Sequence, residues 1–146
     1  MLIRLLPSQI PTVWNHIKYA VSKVMQLSGD DYTRYIVKLI HSLLTEKSQC
    51  FVRLNDERKL TGVTITKIVV DNYTKERKLI IDIVYSYEHI DENEWQSYFE
   101  IIRDFAVKNN CVEMETNSGV ARVHQIANMT GFVEKTRTYS LKLGGN

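Results

Sequence analysis

The clearest pattern of apolar and polar positions along the chain lies between residues 78 and 108. Nearly every position from Leu79 to Tyr85 is apolar, which is typical of a central strand covered on both faces. Asp91 is followed by Glu94 at the spacing of a capping box, which indicates the start of a helix. Apolar side chains then recur at helical spacing on one broad face: Trp95, Tyr98, Phe99, Ile102, Phe105 and Ala106.

A further strand is predicted over Cys111–Asn117, so the stretch from residue 78 onward reads as a βαβ unit. In units of this kind ligands often bind at the carboxyl end of the first strand. The turn Ser86–Asn93 is therefore the first candidate for a functional site.

The chain before this unit alternates between the two periods of regular structure. Leu2–Leu6 reads as a strand ended by Pro7, and a helical period then runs from Ser8 to about Leu27. A polar break at residues 28–31 precedes a second helix that ends near Glu46. Gln49–Leu54 and the β-branched run Leu60–Val70 predict two strands that pair as a hairpin and continue into the strand at Lys78.

After residue 117 the sequence predicts a short helix from Ser118 to about Thr130 and a last strand from Gly131 to Leu143. The complete order is β-α-α-β-β-β-α-β-α-β. It predicts one α+β (α/β) domain over residues 1–146, with a mixed, mostly antiparallel central sheet and helices on both faces.

Composition and charge narrow the classes of function. The 19 basic and 17 acidic residues are interspersed, which gives no electrostatic case for nucleic acid or a membrane surface. We expect no metal site, because the 4 histidines are scattered and the 2 cysteines lie far apart in apolar strands. Buried free thiols and the lack of a membrane-spanning or signal segment favour a soluble protein of the cytoplasm.

The element order, together with the closing pattern of helix, Gly131-Phe132 and a strand carrying Tyr139 and Leu141, resembles the GNAT superfamily of acyl-CoA-dependent N-acetyltransferases. The resemblance covers essentially the whole chain. The same Gly-Phe pair is also explained if Gly131 stops a helix and Phe132 is a core residue.

The resemblance implies that acetyl-CoA would lie along the end of the central strand. Tyr85, Ser86 and Tyr87 would then line the slot for its pantetheine arm, and the amides of Asn93 and Glu94 would meet its pyrophosphate. The family places a glycine-rich loop with an Arg or Gln there, whereas Ser86–Asn93 has no glycine, Arg or Lys and carries several carboxylates. We therefore predict a degenerate loop that binds acetyl-CoA weakly or not at all.

Candidate catalytic residues are two carboxylates. Asp82, inside the apolar strand, could have a raised pKa suited to a general base, and Glu88 could assist deprotonation of an amine. Asp82 is equally explained by an ion pair with Lys67 on the adjacent strand. The tyrosine that in the family often protonates the departing thiolate is replaced here by Ala127.

Two functions follow from these features. One is an enzyme that transfers an acyl group from acyl-CoA to an amine of a small molecule or protein. The alternative is a non-catalytic binding or assembly protein of the same fold with a protein partner, similar to small GNAT-like proteins of bacteriophages, where it would be virion-associated. The acceptor and the oligomeric state are not determined by the sequence.

Overall fold

The computed structural model describes residues 1–117, 127, 130–135 and 137–144. Its strands are β1 (Leu2–Arg4), β2 (Ser48–Leu54), β3 (Leu60–Val70), β4 (Arg77–Ser86) and β5 (Cys111–Thr116). Its helices are α1 (Ile10–Met25), after a short 3-10 turn at Pro7–Gln9, α2 (Gly29–Leu44) and α3 (Glu92–Lys108). None of these helices combines the length and the apolar character needed to cross a membrane.

The strands of the described residues form one five-stranded sheet in the order β1-β2-β3-β4-β5. The pairs from β1 to β4 are antiparallel, and β5 lies parallel to β4 because α3 carries the chain across the sheet between them. This mixed, mostly antiparallel sheet confirms the predicted fold class. Strand β4 is internal, as predicted from its apolar run, and β3 occupies the middle position.

Two hydrophobic cores lie on opposite faces of the sheet. On one face α1 and α2 pack against β2, β3 and β4, with Ile17, Val21 and Ile65 fully buried. On the other face α3 packs through Tyr98, Ile102 and Ala106 against a cluster that includes Phe51 and Leu79. Helices on both faces were predicted from the apolar character of β4, and the two cores confirm that prediction.

A β-bulge interrupts β4 at Asp82. Ile83 pairs with Ile65 and Ile81 pairs with Thr66, so Asp82 is the extra residue of β4 at this point. The bulge reverses the alternation of side chains, so that Ile81 faces α3 whereas Ile83 faces α1.

The carboxyl-terminal region differs from the prediction. Most of the helix predicted over residues 118–130 lies outside the described residues, although Ala127 is helical. Gly131 adopts a positive φ of 91°, and the Phe132 amide donates to the Ala127 carbonyl at 2.9 Å, as at the end of a helix. The described residues of 131–143 form no strand: their backbone pairs with none of the five strands, and Tyr139, Leu141 and Leu143 stand exposed.

Candidate active site

Strands β4 and β5 separate at a fork beside the turn that follows β4. Their last pair is Ile81 with Thr116, whereas β4 continues to Ser86. On the side of β5, the end of β4 therefore has no strand partner among the described residues. The fork lies at the carboxyl ends of two parallel strands, the position at which α/β units commonly bind ligands.

An apolar cavity of about 80 Å³ lies between the fork and the first turns of α3. Its walls include Val84, Trp95 and Phe99, and the Phe99 ring packs edge to face on Phe132 at 5.1 Å between ring centroids. The indole Nε1 of Trp95 is buried and has no hydrogen-bond partner in the described part of the chain. Aromatic side chains therefore line the space between α3 and the fork.

The turn between β4 and α3 is closed by its own polar groups. The Asp91 carboxylate accepts a hydrogen bond from the Glu94 amide at 2.9 Å and so caps α3, as the sequence predicted. The Ser86 hydroxyl donates to the Glu88 carbonyl, and the Tyr87 amide donates to the Thr61 carbonyl at 2.8 Å. The Asp91 carboxylate thus accepts the hydrogen bond of one amide that an anion bound at this helix terminus would need.

Arg53, a residue of β2, supplies a cation to this turn. Its guanidinium donates to a Glu94 carboxylate oxygen at 2.7 Å, to the Tyr98 hydroxyl at 3.0 Å and to the Thr61 hydroxyl at 3.1 Å. A Glu88 carboxylate oxygen lies 3.5 Å from the same guanidinium. The Arg53 side chain is only 11% exposed, whereas the Glu94 and Glu88 side chains are 37% and 53% exposed; we call these groups the Arg53 cluster.

Hydrogen bonds from Arg53 and then from Tyr98 hold the pKa of Glu94 below its ordinary value, so the Glu94 carboxylate is ionised at neutral pH. The Glu94 side chain is therefore engaged by Arg53 and Tyr98, which is a different role from its predicted return to the Asp91 amide in a full capping box. The sequence identified Asp91 as the cap of α3, but it did not identify Arg53 as the partner of the Glu94 side chain.

Arg53 was not predicted as a site residue, because it lies far along the chain from the turn. The signal that could have found it is the alternation in β2, where Cys50, Val52 and Leu54 face α1 and α2, so that Arg53 faces α3. Arg53 pairs with Gly62 on β3, where a Cβ atom would lie 3.3 Å from the Arg53 Cβ. The glycine therefore leaves room for the arginine stem to pass over β3.

The two candidate catalytic carboxylates lie apart. Asp82 sits at the fork on the face of α1 and α2, with an oxygen 3.6 Å from the Lys67 ammonium, so the alternative ion pair is present. Burial raises the pKa of Asp82, and Lys67 opposes that rise. Glu88 instead contacts Arg53 on the α3 face, so the structure does not bring these carboxylates into one site.

The predicted cofactor residues are divided in the same way. The side chains of Tyr85 and Tyr87 pack on α1, where Tyr87 stacks on Tyr19 at 5.7 Å and donates to the His16 carbonyl at 2.8 Å. The Asn93 and Glu94 amides lie at the start of α3, as predicted. In the described ranges no group of three or more His, Cys, Asp or Glu side chains is arranged to hold a metal ion.

Comparison with solved structures shows which proteins share this fold. A probable acetyltransferase superposes with a TM-score of 0.75 at 15% identity, over 100% of this chain and 99% of that one. A ribosomal-protein-alanine N-acetyltransferase from Brucella melitensis biovar Abortus 2308 gives a TM-score of 0.69 at 13% identity, over 98% and 99% of the two chains. An aminoglycoside N-acetyltransferase solved in complex with CoA gives 0.73 at 11% identity, over 98% and 93%.

This chain therefore has the GNAT acetyltransferase fold, which confirms the fold-level resemblance seen in its sequence. Identities this low show the fold alone. No protein-family model and no curated protein sequence matches the chain.

Proposed function

We propose that this chain uses the acetyltransferase fold as a non-catalytic binding or assembly protein, in which acetyl-CoA binds weakly or not at all. The observation that carries the proposal is the occupation of the start of α3 by the protein's own carboxylates. Asp91 takes the Glu94 amide, while Glu94 and Glu88 take the cation that Arg53 supplies. A pyrophosphate at this place would have to displace all these contacts and approach ionised carboxylates, which repel it.

The cavity at the fork supports the same proposal. Its volume of about 80 Å³ is well below the roughly 300–1,000 Å³ of ordinary small-molecule sites. The unpartnered indole N–H of Trp95 could donate to a small acceptor, and the packed rings of Phe99 and Phe132 narrow the cavity. This lining fits the extended arm of acetyl-CoA poorly, which supports the proposal.

An acyl-CoA-dependent N-acyltransferase is the second candidate, and the position of Asp82 favours it. This carboxylate lies at the bulge beside the fork and its pKa is raised by burial, as suits a group that takes a proton from an amine. The acceptor would be an amine of a small molecule or a protein. The virion-associated form of the non-catalytic role stays a prediction from the sequence.

A thermal-shift titration with acetyl-CoA separates the two candidates. A ligand at about 100 times its dissociation constant stabilises the native state by about 2.7 kcal/mol, which raises the melting temperature of a domain of this size by several degrees. We expect a shift within about 1 °C at millimolar acetyl-CoA. A rise of several degrees at micromolar acetyl-CoA would contradict the proposal and favour the enzyme.

A reversal variant tests the physical cause. Replacing Glu88 and Asp91 by glycine and Glu92 by arginine removes three carboxylates near the start of α3 and adds a cation, and we expect acetyl-CoA binding to strengthen by about tenfold or more. The control replaces Glu76, in the exposed β3–β4 turn, and Asp104, in the last turns of α3, by arginine, which makes the same change in net charge away from the start of α3. Equal effects of both variants would show that overall charge, and not the turn, controls binding.

A further inference from the structure

Trp95 carries a buried hydrogen-bond donor that the described part of the chain does not use. Among the described residues, its indole Nε1 is the only buried side-chain nitrogen or oxygen without a hydrogen-bond partner. A buried donor without a partner destabilises a fold, so proteins rarely keep one that nothing binds. Trp95 lines the cavity at the fork, and that cavity is therefore where a partner for its N–H would lie.

Polar side chains elsewhere on the cavity wall are already engaged within the protein. The Tyr98 hydroxyl donates to a Glu94 carboxylate oxygen at 2.8 Å and accepts a hydrogen bond from Arg53 at 3.0 Å. The Thr116 hydroxyl donates to the Ile81 carbonyl at 3.5 Å. In the described part of this wall, the indole N–H is thus the buried donor that stays open to a ligand.

The size and the lining of the cavity limit what the indole can bind. The volume is about 80 Å³, and Val84, Phe99 and Phe132 give the cavity apolar walls. A buried water needs about two to four polar partners, which apolar side chains do not supply. An apolar cavity of about 150 Å³ accommodates benzene, so a cavity of roughly half that volume fits a molecule of about three to five non-hydrogen atoms.

The charges beside the cavity favour a neutral ligand. Arg53 lines the cavity, and its guanidinium lies 2.7 Å from a Glu94 carboxylate oxygen and 3.5 Å from a Glu88 carboxylate oxygen. Two carboxylates beside one guanidinium repel a further anion. A cation would instead meet the guanidinium and the positive end of the indole N–H dipole. A neutral molecule with one acceptor avoids both kinds of repulsion.

We propose that the cavity at the fork is a binding site for a small neutral carbonyl compound, such as a short ketone, aldehyde or ester, and that the Trp95 indole donates to its carbonyl oxygen. The apolar body of the ligand packs on Val84, Phe99 and Phe132. This inference rests on the proposed function, because a chain that does not hold acetyl-CoA leaves the cavity to such a molecule. It names the chemical class of ligand that this binding protein takes.

The nuclear magnetic resonance signal of the Trp95 indole proton measures this binding. The chain has 2 Trp, so Trp95 gives the only indole N–H signal in the Trp14→Phe variant. The probe is 2-butanone. The compound 2-methyl-1-butene has the same shape without the acceptor, and propanoate has the same number of non-hydrogen atoms with a negative charge.

We expect 2-butanone to bind with a Kd between about 10 µM and 10 mM, the range open to a ligand of this size. Its binding should move the indole proton signal downfield as the hydrogen bond forms. The alkene should cause no downfield shift, because it has no acceptor. Propanoate should bind at least about tenfold more weakly than 2-butanone, because the carboxylates of the Arg53 cluster repel it.

A cavity-filling variant and a matched control locate the site, both made in the Trp14→Phe chain. Ala127→Leu adds apolar volume to the cavity wall and should abolish the saturable shift. Ser97→Leu places a leucine on the exposed side of α3, outside the cavity, and should keep the shift. The comparison of the three probes uses the unfilled cavity, so it tests the inference even if Ala127→Leu does not fold.

Three results would overturn the inference. One is the absence of a saturable indole shift up to about 100 mM 2-butanone, ten times the weakest expected Kd. Another is an unchanged Kd in folded Ala127→Leu, and the third is propanoate binding as tight as that of 2-butanone. Each of these leaves the proposed function standing, because acetyl-CoA binding is measured separately by the thermal-shift titration.

Discussion

Replacing Arg53 by methionine should lower the free energy of unfolding by about 3 kcal/mol. Methionine keeps an apolar stem of similar length while removing the guanidinium, which donates hydrogen bonds to Glu94, Tyr98 and Thr61. The charge-assisted bond to Glu94 contributes about 1.5 kcal/mol, at the low end because that side chain is 37% exposed. The hydrogen bonds to the Tyr98 and Thr61 hydroxyls contribute about 1 kcal/mol each. The total loss is slightly smaller than the sum of the three bonds, because water can hydrogen-bond to the hydroxyls in the variant.

Urea denaturation of four proteins tests this reasoning: the wild type, Arg53→Met, Glu94→Gln and the double variant. The double-mutant cycle should give a coupling of about 1 kcal/mol between Arg53 and Glu94, because each single variant removes the same ion pair. A total loss below about 0.5 kcal/mol for Arg53→Met would refute the claim that the Arg53 cluster stabilises the turn.

The same variant has a predicted pH dependence. The pKa of Glu94 is lowered in the folded state by its hydrogen bonds, so its contribution to stability is present above the ordinary pKa of 4.5. That contribution is lost as pH falls through the lower, folded pKa. The difference in unfolding free energy between wild type and Arg53→Met should therefore shrink below about pH 4, and a constant difference would contradict the assignment.

Three further predictions concern the core and the fork. Ile83→Asp should abolish folding, because a buried unpaired charge costs several kcal/mol against a total stability of roughly 5–15, whereas Val70→Asp at an exposed strand end should stay folded by circular dichroism. Trp95→Phe should change the free energy of unfolding by less than about 1 kcal/mol, since it removes the unpartnered indole N–H along with some apolar surface. In a Trp14→Phe variant, the fluorescence emission of Trp95 should lie to the blue of free tryptophan. A solvent-like spectrum would contradict the packing of Trp95 against the sheet. Because burial raises the pKa of Asp82, the wild type should lose stability as pH rises from about 4 through that raised pKa. Asp82→Asn should not show this loss in urea denaturation. An identical pH profile for the two proteins would show that burial does not disfavour the charge of Asp82.

The local patterns of the sequence were sufficient for most of the secondary structure. The β-branched run Leu60–Val70 forms β3 with the predicted bounds, because side chains branched at Cβ favour extended backbone wherever the strand lies in a sheet. Asp91 caps α3 because its carboxylate reaches an amide only three residues ahead, an interaction that needs no distant partner. These features are determined by neighbours along the chain.

Contacts between distant residues were decided only by the tertiary structure. Arg53 reaches Glu94 because β2 and α3 meet on one face of the sheet, and no local pattern encodes which strand supplies the cation. The bulge at Asp82 turns Ile83 toward α1, although an unbroken alternation would place it with Ile81. Residues 139–143 have the alternation of a strand, but they form none in the structure. Alternation makes a segment suitable for pairing, whereas a strand forms only where it can bond to the backbone of a neighbouring strand. Which backbone lies beside it depends on the assembled sheet.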